Sequence, residues 1–348
     1  MRSGLRVALG QFSELTDEKA KFAKQLGFDS IQLNTPALPG VGCWSYEDLL
    51  ALRLRCESYG LKLEAIENVP VHFLHKVMLG LDGRDEQIRN YQQIIRNMGK
   101  AGIPILGHHF MADGTWRTSY SVPLRGGARG MGFDLGLVSV DISQRDGNLV
   151  IKRDPVHSAF LREHVKRTVT HEEMWSNYEY FIRAVVPVAE EAGVKLALHP
   201  DDPPVPMVGG IARLFYGIDD LKRAMDIADS EAWGLDLCLG TSSSMAGGAE
   251  TVASMIDTFG PAGKILYVHF RDVVGTVPSF YECFLGDGNF NPAEMLLRLK
   301  KSGFNGFMID DHVPWTDYDD EWGHRSHAHQ SGYLQGMIDA LDLVEKIG

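Results

Sequence analysis

The sequence predicts a single α/β domain over residues 1–348, a (β/α)8 barrel with one long inserted loop after the fourth strand. Three observations carry this reading. Short β-like runs alternate with amphipathic helical stretches along the whole chain, which is the pattern of a parallel sheet. Strand–helix pairs repeat to a full barrel complement, and no G-x-G-x-x-G follows the first run to favour an open dinucleotide-binding sheet. A chain of 348 residues also falls within the range of single-domain barrels.

The strands are expected at Leu5–Gly10, Ser30–Asn34, Lys62–Asn68, Pro104–Phe110, Lys195–Pro200, Trp233–Gly240, Ile265–Asp272 and Gly306–His312. Helical periodicity follows at Thr16–Leu26, Ser45–Tyr59, Arg84–Ala101, His171–Ala192, Asp219–Ala228, Ala249–Phe259, Pro292–Lys301 and His329–Ile347. Thr170 with Glu173 forms a capping box, and Gly60, Gly102, Gly193 and Gly303 stand where C-caps belong. The stretch 111–170 breaks the rhythm, since a βα loop usually has about 2–6 residues. Within it, Leu137–Asp141 and Leu149–Arg153 suit a small hairpin around Asp146-Gly147. Such an insertion reads as a substrate cover or as a subunit contact.

Composition narrows the class. A 44% hydrophobic and 23% charged chain is that of a well-cored protein, and its net charge of −12 repels nucleic-acid backbones. The same charge repels an anionic substrate unless a metal or buried Arg and Lys offset it. The cysteines (Cys43, Cys56, Cys238, Cys283) are too scattered for a disulfide framework. No run is long and apolar enough for a bilayer span or a signal peptide, so no membrane association and a cytoplasmic enzyme are expected.

Barrel chemistry gathers at the C-terminal ends of the strands. Ligand-type residues occupy that position on four successive strands: His199, Cys238, His269 and Asp311. Alternation tests whether they converge. Leu235, Leu237 and Leu239 share one face of their strand, leaving Asp236 and Cys238 on the axial face. Leu266, Val268 and Phe270 likewise leave His269 and Arg271 inward. Two imidazoles, a thiolate and a carboxylate suit a borderline divalent ion such as Zn²⁺, Fe²⁺, Mn²⁺ or Co²⁺. Ser326-His-Ala-His329 also carries ligand-type residues, but it precedes the last helix and reads as solvated.

With these residues placed, four stretches resemble the mannonate dehydratase family. They are Glu67-Asn-Val-Pro-Val-His72 leading into Gly83-Arg-Asp-Glu-Gln-Ile-Arg-Asn-Tyr91, and His109-Phe-Met with Thr115-Trp-Arg-Thr118. Val186-Pro-Val-Ala-Glu-Glu-Ala-Gly-Val194 running into His199-Pro-Asp-Asp-Pro-Pro204 is the third, and Cys238 with Val268-His-Phe-Arg271 and Asp311-His312 the fourth. The resemblance implies metal ligation by His199, Cys238, His269 and Asp311, with Mn²⁺ or Fe²⁺ as the ion. It also implies loss of water from D-mannonate to give 2-keto-3-deoxy-D-gluconate, and a homodimer; His72, His109, Arg117 and Asp201 are the expected substrate-binding residues. The chain departs from the family where Leu33-Asn-Thr-Pro36 replaces paired histidines before an Ile-Pro. His109-Phe-Met-Ala112 and Ile309-Asp-Asp-His-Val313 are further departures, and Tyr318 is the nearest counterpart of an expected catalytic tyrosine.

Dehydrating a sugar acid means removing the proton beside a carboxylate and expelling the hydroxyl one carbon on. The enediolate that forms needs strong electrostatic support. Arg271, on the face of His269, suits bidentate pairing with the substrate carboxylate, or else serves the acidic strand ends. Arg117 is a second candidate. His312 suits proton transfer, provided that the strand end curls, because in a straight strand it would point opposite to Asp311. Asp201 and Asp202 are expected to orient His199 or a bound water, or to cap the following turn. The main rival is a metal-dependent sugar isomerase or epimerase on a similar barrel, against which Cys238 argues.

Overall fold

The computed structural model describes residues 4–138 and 155–347. The chain runs β1 (Arg6–Val7), α1 (Asp17–Gln25), β2 (Ser30–Asn34), α2 (Tyr46–Ser58), β3 (Lys62–Glu67), α3 (His75–Met78), α4 (Arg84–Ala101) and β4 (Ile105–His108). The insertion follows, with β5 (Ser119–Pro123), β6 (Arg129–Asp134) and α5 (Pro155–His164). Next come α6 (His171–Ala192), β7 (Lys195–Leu198), β8 (Met207–Val208), β9 (Ile211–Ala212), α7 (Ile218–Ala228), β10 (Trp233–Cys238), α8 (Leu239–Ser244) and α9 (Ala249–Phe259). The last part holds β11 (Ile265–His269), β12 (Val273–Thr276), β13 (Ser279–Glu282), α10 (Pro292–Lys301), β14 (Phe307–Ile309) and α11 (His324–Ile347).

The eight expected strands form one parallel sheet in the order β1-β14-β11-β10-β7-β4-β3-β2. A parallel bridge between Leu9 and Ile31 joins its two ends, so the sheet closes into a barrel. Alternation sorts the side chains as expected. Leu235, Leu237, Leu239, Val268 and Phe270 join the large core between strands and helices. Ala8, Ala65, Ala197, Tyr267, Phe307 and Ile309 pack together around the barrel axis. In the register of β10 and β11, Cys238 stands beside His269. Helix starts follow side-chain chemistry: Thr16, Ser45 and Asn291 accept from backbone N–H groups of their first turns, and Thr170 and Glu173 form the capping box. Gly102 and Gly193 end α4 and α6 in the left-handed conformation.

Three features differ from expectation. The last helix begins at His324, not His329, so Ser326 and His327 lie inside it and are buried. His327 Nδ1 and Ser331 Oγ both bind the Asp310 carboxylate, an anchor strong enough to carry the helix start back beyond the apolar pattern. The hairpin expected around Asp146-Gly147 falls largely outside the described residues. The insertion does form a hairpin, but earlier, from β5 and β6. Finally, β12 and β13 form a second hairpin after β11 that adds to β6, giving a four-stranded antiparallel sheet β12-β13-β6-β5. Its turn, Val277-Pro278, interrupts a stretch too short to show strand periodicity, which hid it in the sequence. Trp116, Phe133, Val205, Val208, Val273 and Phe280 give this sheet its own small core. Two backbone hydrogen bonds between Arg129 and Trp315, 2.9 and 2.8 Å, tie the insertion to the segment after β14. The described part of the insertion thus forms a wall over the C-terminal strand ends.

Candidate metal centre and proton-transfer site

His199, Cys238 and His269 come together, with one ligand atom from each lying within 4.8 Å of the others. All three are buried. Hydrogen bonds on their outer sides prepare both imidazoles. His199 Nδ1 is 2.5 Å from the Pro200 carbonyl, so it donates there and leaves Nε2 for a ligand. His269 Nε2 lies 3.1 Å from Glu67 Oε2 and 3.3 Å from Asp236 Oδ2, while its Nδ1 is buried without a hydrogen-bond partner. That orphaned Nδ1 is 3.5 Å from Asp311 Oδ2, so the fourth expected ligand stands at the same centre. Asp311 is also held at 2.5 Å by Arg271 Nε.

Electrostatics agree with a cation-binding centre. Burial pushes the Cys238 thiol up, but Arg271, His199 and His269 outweigh it and hold the group well below the usual thiol range. Burial lowers His199, yet its hydrogen bond to Cys238 raises it to about 10. His199 and Cys238 thus favour each other's charged forms at the place where an ion would bind. The donor set of two imidazoles, a thiolate and a carboxylate fits a borderline divalent ion.

A second group of charges surrounds this centre. Arg117 makes a two-pronged contact with Asp202, 2.8 and 2.7 Å, and reaches Glu282 Oε1 with Nη2 at 2.7 Å. Arg271 binds Asp202 Oδ2 at 3.0 Å and Thr241 Oγ1 at 3.3 Å, but its Nη1 has no hydrogen-bond partner. Glycine at 240 is required here, since a Cβ would stand 2.5 Å from Arg271 Nη1. His312 Nδ1 is 2.8 Å from Glu282 Oε1. Burial pushes Glu282 up, but His312 and Arg117 hold it down at about 2. The curl required of the strand end is present: Asp311 has φ 57, so Asp311 and His312 turn toward one cluster, 3.8 Å apart.

The other expected site residues separate. Arg117 is present but saturated by acids, and its partner Glu282, which no sequence pattern marks, arrives on the unforeseen hairpin. Asp201 neither orients His199 nor caps a turn in the expected way. It accepts from the Leu214 and Phe215 N–H groups at 2.6 and 3.2 Å, a brace for the loop after β9. Asp202 serves the two arginines. His109 Nδ1 accepts from Met111 N, His72 is exposed on the turn after β3, and Tyr318 is 91% exposed. His72 and Tyr318 stand outside the buried cluster. Besides Glu282, sequence reasoning missed Glu67 and Asp236, although alternation already set Asp236 on the face of Cys238.

The model of the D-mannonate dehydratase (UxuA) family matches residues 19–347. The chain belongs to the D-mannonate dehydratase family. It is 35% identical over 312 residues to the mannonate dehydratase of Streptococcus pneumoniae, covering 85% of this chain and 83% of that protein. Mannonate dehydratase 2 of Halalkalibacterium halodurans is 30% identical over 351 residues, with 97% and 99% covered. The solved mannonate dehydratase of Streptococcus suis serotype 2 superimposes with a TM-score of 0.83 at 28% identity, covering 97% of this chain and 93% of that one. A xylose isomerase-like TIM barrel protein from Mycobacterium smegmatis, at 14% identity and TM-score 0.59, shares the fold.

Proposed function

We propose that this chain is a metal-dependent hydro-lyase that removes water from D-mannonate to give 2-keto-3-deoxy-D-gluconate. The observation that carries this is the convergence of His199, Cys238 and His269 beside the Glu282–His312 pair, in a member of this family. The ion, proposed as Mn²⁺ or Fe²⁺, would be held by those three residues with Asp311 and would supply Lewis-acid support for charge on the substrate carboxylate. His312 Nδ1–H donates to Glu282, which fixes the ring and leaves Nε2 free to take the proton from the carbon beside the carboxylate. Arg271 is locked by Asp311, Asp202 and Thr241, and its Nη1, 3.9 Å from Glu282 Oε1 and without a hydrogen bond, is the donor left for the substrate carboxylate. The buried Arg117–Asp202–Glu282 group holds both of these residues in place. No helix among the described residues is long and apolar enough to cross a membrane. A cytoplasmic homodimer acting on a small sugar acid, without nucleic acid, completes the proposal.

The test is turnover of D-mannonate, scored as release of a 2-keto-3-deoxy acid, before and after treatment with EDTA. Activity should vanish with EDTA and return with Mn²⁺ or Fe²⁺. Full turnover in metal-free protein, or no keto acid from the loaded protein, overturns the reading.

A further inference from the structure

Glu67 holds His269 from one side, and on its other side collects a set of amides that the chemistry above does not use. Gln11 Nε2 donates to Glu67 Oε2 at 3.1 Å, and Gln32 Nε2 donates to the same oxygen. Asn34 and Asn68 each donate to Oε1 at 3.4 Å. A carboxylate only accepts, so it forces every one of these amides to turn its NH₂ inward and fixes where each amide oxygen points. The Gln11 oxygen is taken by Asn34 Nδ2 at 2.9 Å, and the Asn34 oxygen by Thr35 Oγ1. The Asn68 oxygen is buried and has no partner. Left over among the half-buried members are that acceptor, the Thr35 hydroxyl oxygen, and the second N–H of Gln11 and of Asn68; Gln32 is wholly buried behind them. This mixture of donors and acceptors is what alcohol groups, each both donor and acceptor, can satisfy.

Two further observations make this group more than structural polarity. Gln11, Asn34, Thr35 and Asn68 are all half-buried at the C-terminal ends of β1, β2 and β3, the face that carries the candidate metal centre. Gln11, Thr35 and Asn68 also have positive φ, 61, 44 and 63. Non-glycine residues adopt this conformation uncommonly, and here three of them gather at strand ends around one carboxylate. His269 links the two regions, its Nε2 on Glu67 and its Nδ1 toward the metal ligands.

We propose that Gln11, Thr35 and Asn68, oriented by Glu67 and Asn34, form the subsite that receives the distal hydroxyl groups of the sugar-acid chain. The inference rests on the sugar-acid reading of the site. A substrate anchored by its carboxyl end near Arg271 and the ligand atoms extends across His269 toward β1–β3, where its last hydroxyls meet the unpartnered amide atoms. The subsite then sets the chain length that the protein accepts, while the carboxyl end sets where the reaction occurs.

Glycine variants test this cleanly, because Gln11 and Asn68 stand at positive φ, where glycine removes the side chain and relieves strain. Mn²⁺-loaded full-length protein is titrated calorimetrically with D-mannonate and with L-glycerate, which keeps the carboxylate and the two nearest hydroxyls, with the configuration of D-mannonate at the second carbon, but ends at the third carbon. Wild type should prefer D-mannonate, and Gln11→Gly and Asn68→Gly should each weaken D-mannonate by about tenfold, one lost hydrogen bond leaving a group unpaired. L-Glycerate affinity and metal content should not change. Equal weakening of both acids, an unchanged D-mannonate affinity in both variants, or a wild type without preference for the longer acid overturns the proposal. Wild-type turnover is scored separately. Length discrimination that depends on these residues without any dehydration would sink the dehydratase reading and leave the subsite; dehydration without such discrimination would sink the subsite alone.

Discussion

Replacing Cys238 by serine separates metal ligation from packing. The Cys238 side chain is wholly buried, and its Sγ accepts from Thr241 N at 3.4 Å and Thr241 Oγ1 at 3.2 Å. A serine hydroxyl fills nearly the same volume and inherits both contacts. It also suits the N-cap position of α8 that Cys238 holds. The fold should therefore lose no more than about 1 kcal/mol. Metal binding should respond differently, because serine keeps its proton at neutral pH and is a poor ligand. Loss of an outer hydrogen-bond partner of a ligand already costs about 10–100-fold in metal affinity, so loss of the ligand itself should cost at least about 100-fold. That is about 2.7 kcal/mol, well beyond the folding effect. Metal content after dialysis against a graded chelator, measured beside a thermal melt, reads both quantities on one sample. A Cys238→Ser protein that keeps one ion per chain with unchanged affinity would refute the ligand assignment and return Cys238 to the core.

Other outcomes follow from the same geometry. His312→Asn should leave the ion bound and lower turnover by about 10²–10⁴-fold, so loss of metal with activity intact would reverse its role. Arg271→Lys keeps the charge but cannot span Asp311, Asp202 and Thr241 together, and kcat/KM should drop by about tenfold or more; an unchanged value makes Arg271 a structural partner only. Thr170→Ala should destabilise the fold by about 1 kcal/mol in a chemical denaturation curve. Arg167 first, then the Thr170 N–H, hold Glu173 down at about 2 against 4.5. Its contribution is therefore full above pH 4.5 and fades as pH falls toward 2, and a Glu173→Gln variant whose stability follows the wild-type acid limb would contradict this.

Much of the site could be read from one dimension because barrel strands obey a two-residue period. Leucines 235, 237 and 239 needed the helix layer, so Cys238 had to face the axis, and the same rule turned His269 inward. Parallel register then brought them side by side. Where side chains meet across irregular chain the rule fails. Glu282 reaches His312 and Arg117 only because β13 folds back onto β6, a pairing between segments far apart in sequence with no periodic signal. Tyr318 and His72 are exposed for the matching reason: nearness to His312 or Glu67 along the chain says nothing about direction once a strand has ended.

By itself, then, the sequence determined the barrel, the strand that carries each ligand, and the face on which chemistry happens, since hydrophobic period and strand order are local properties of the chain. Only the tertiary structure decided what each charge does. Whether Asp201 or Glu67 holds an imidazole, whether Arg117 meets substrate or Asp202, and which atoms remain unpaired depend on distances of a few ångströms between groups from different strands. Those distances are set by packing the whole barrel, and hydrogen bonding falls off too steeply with distance and angle for residue order alone to fix its partners.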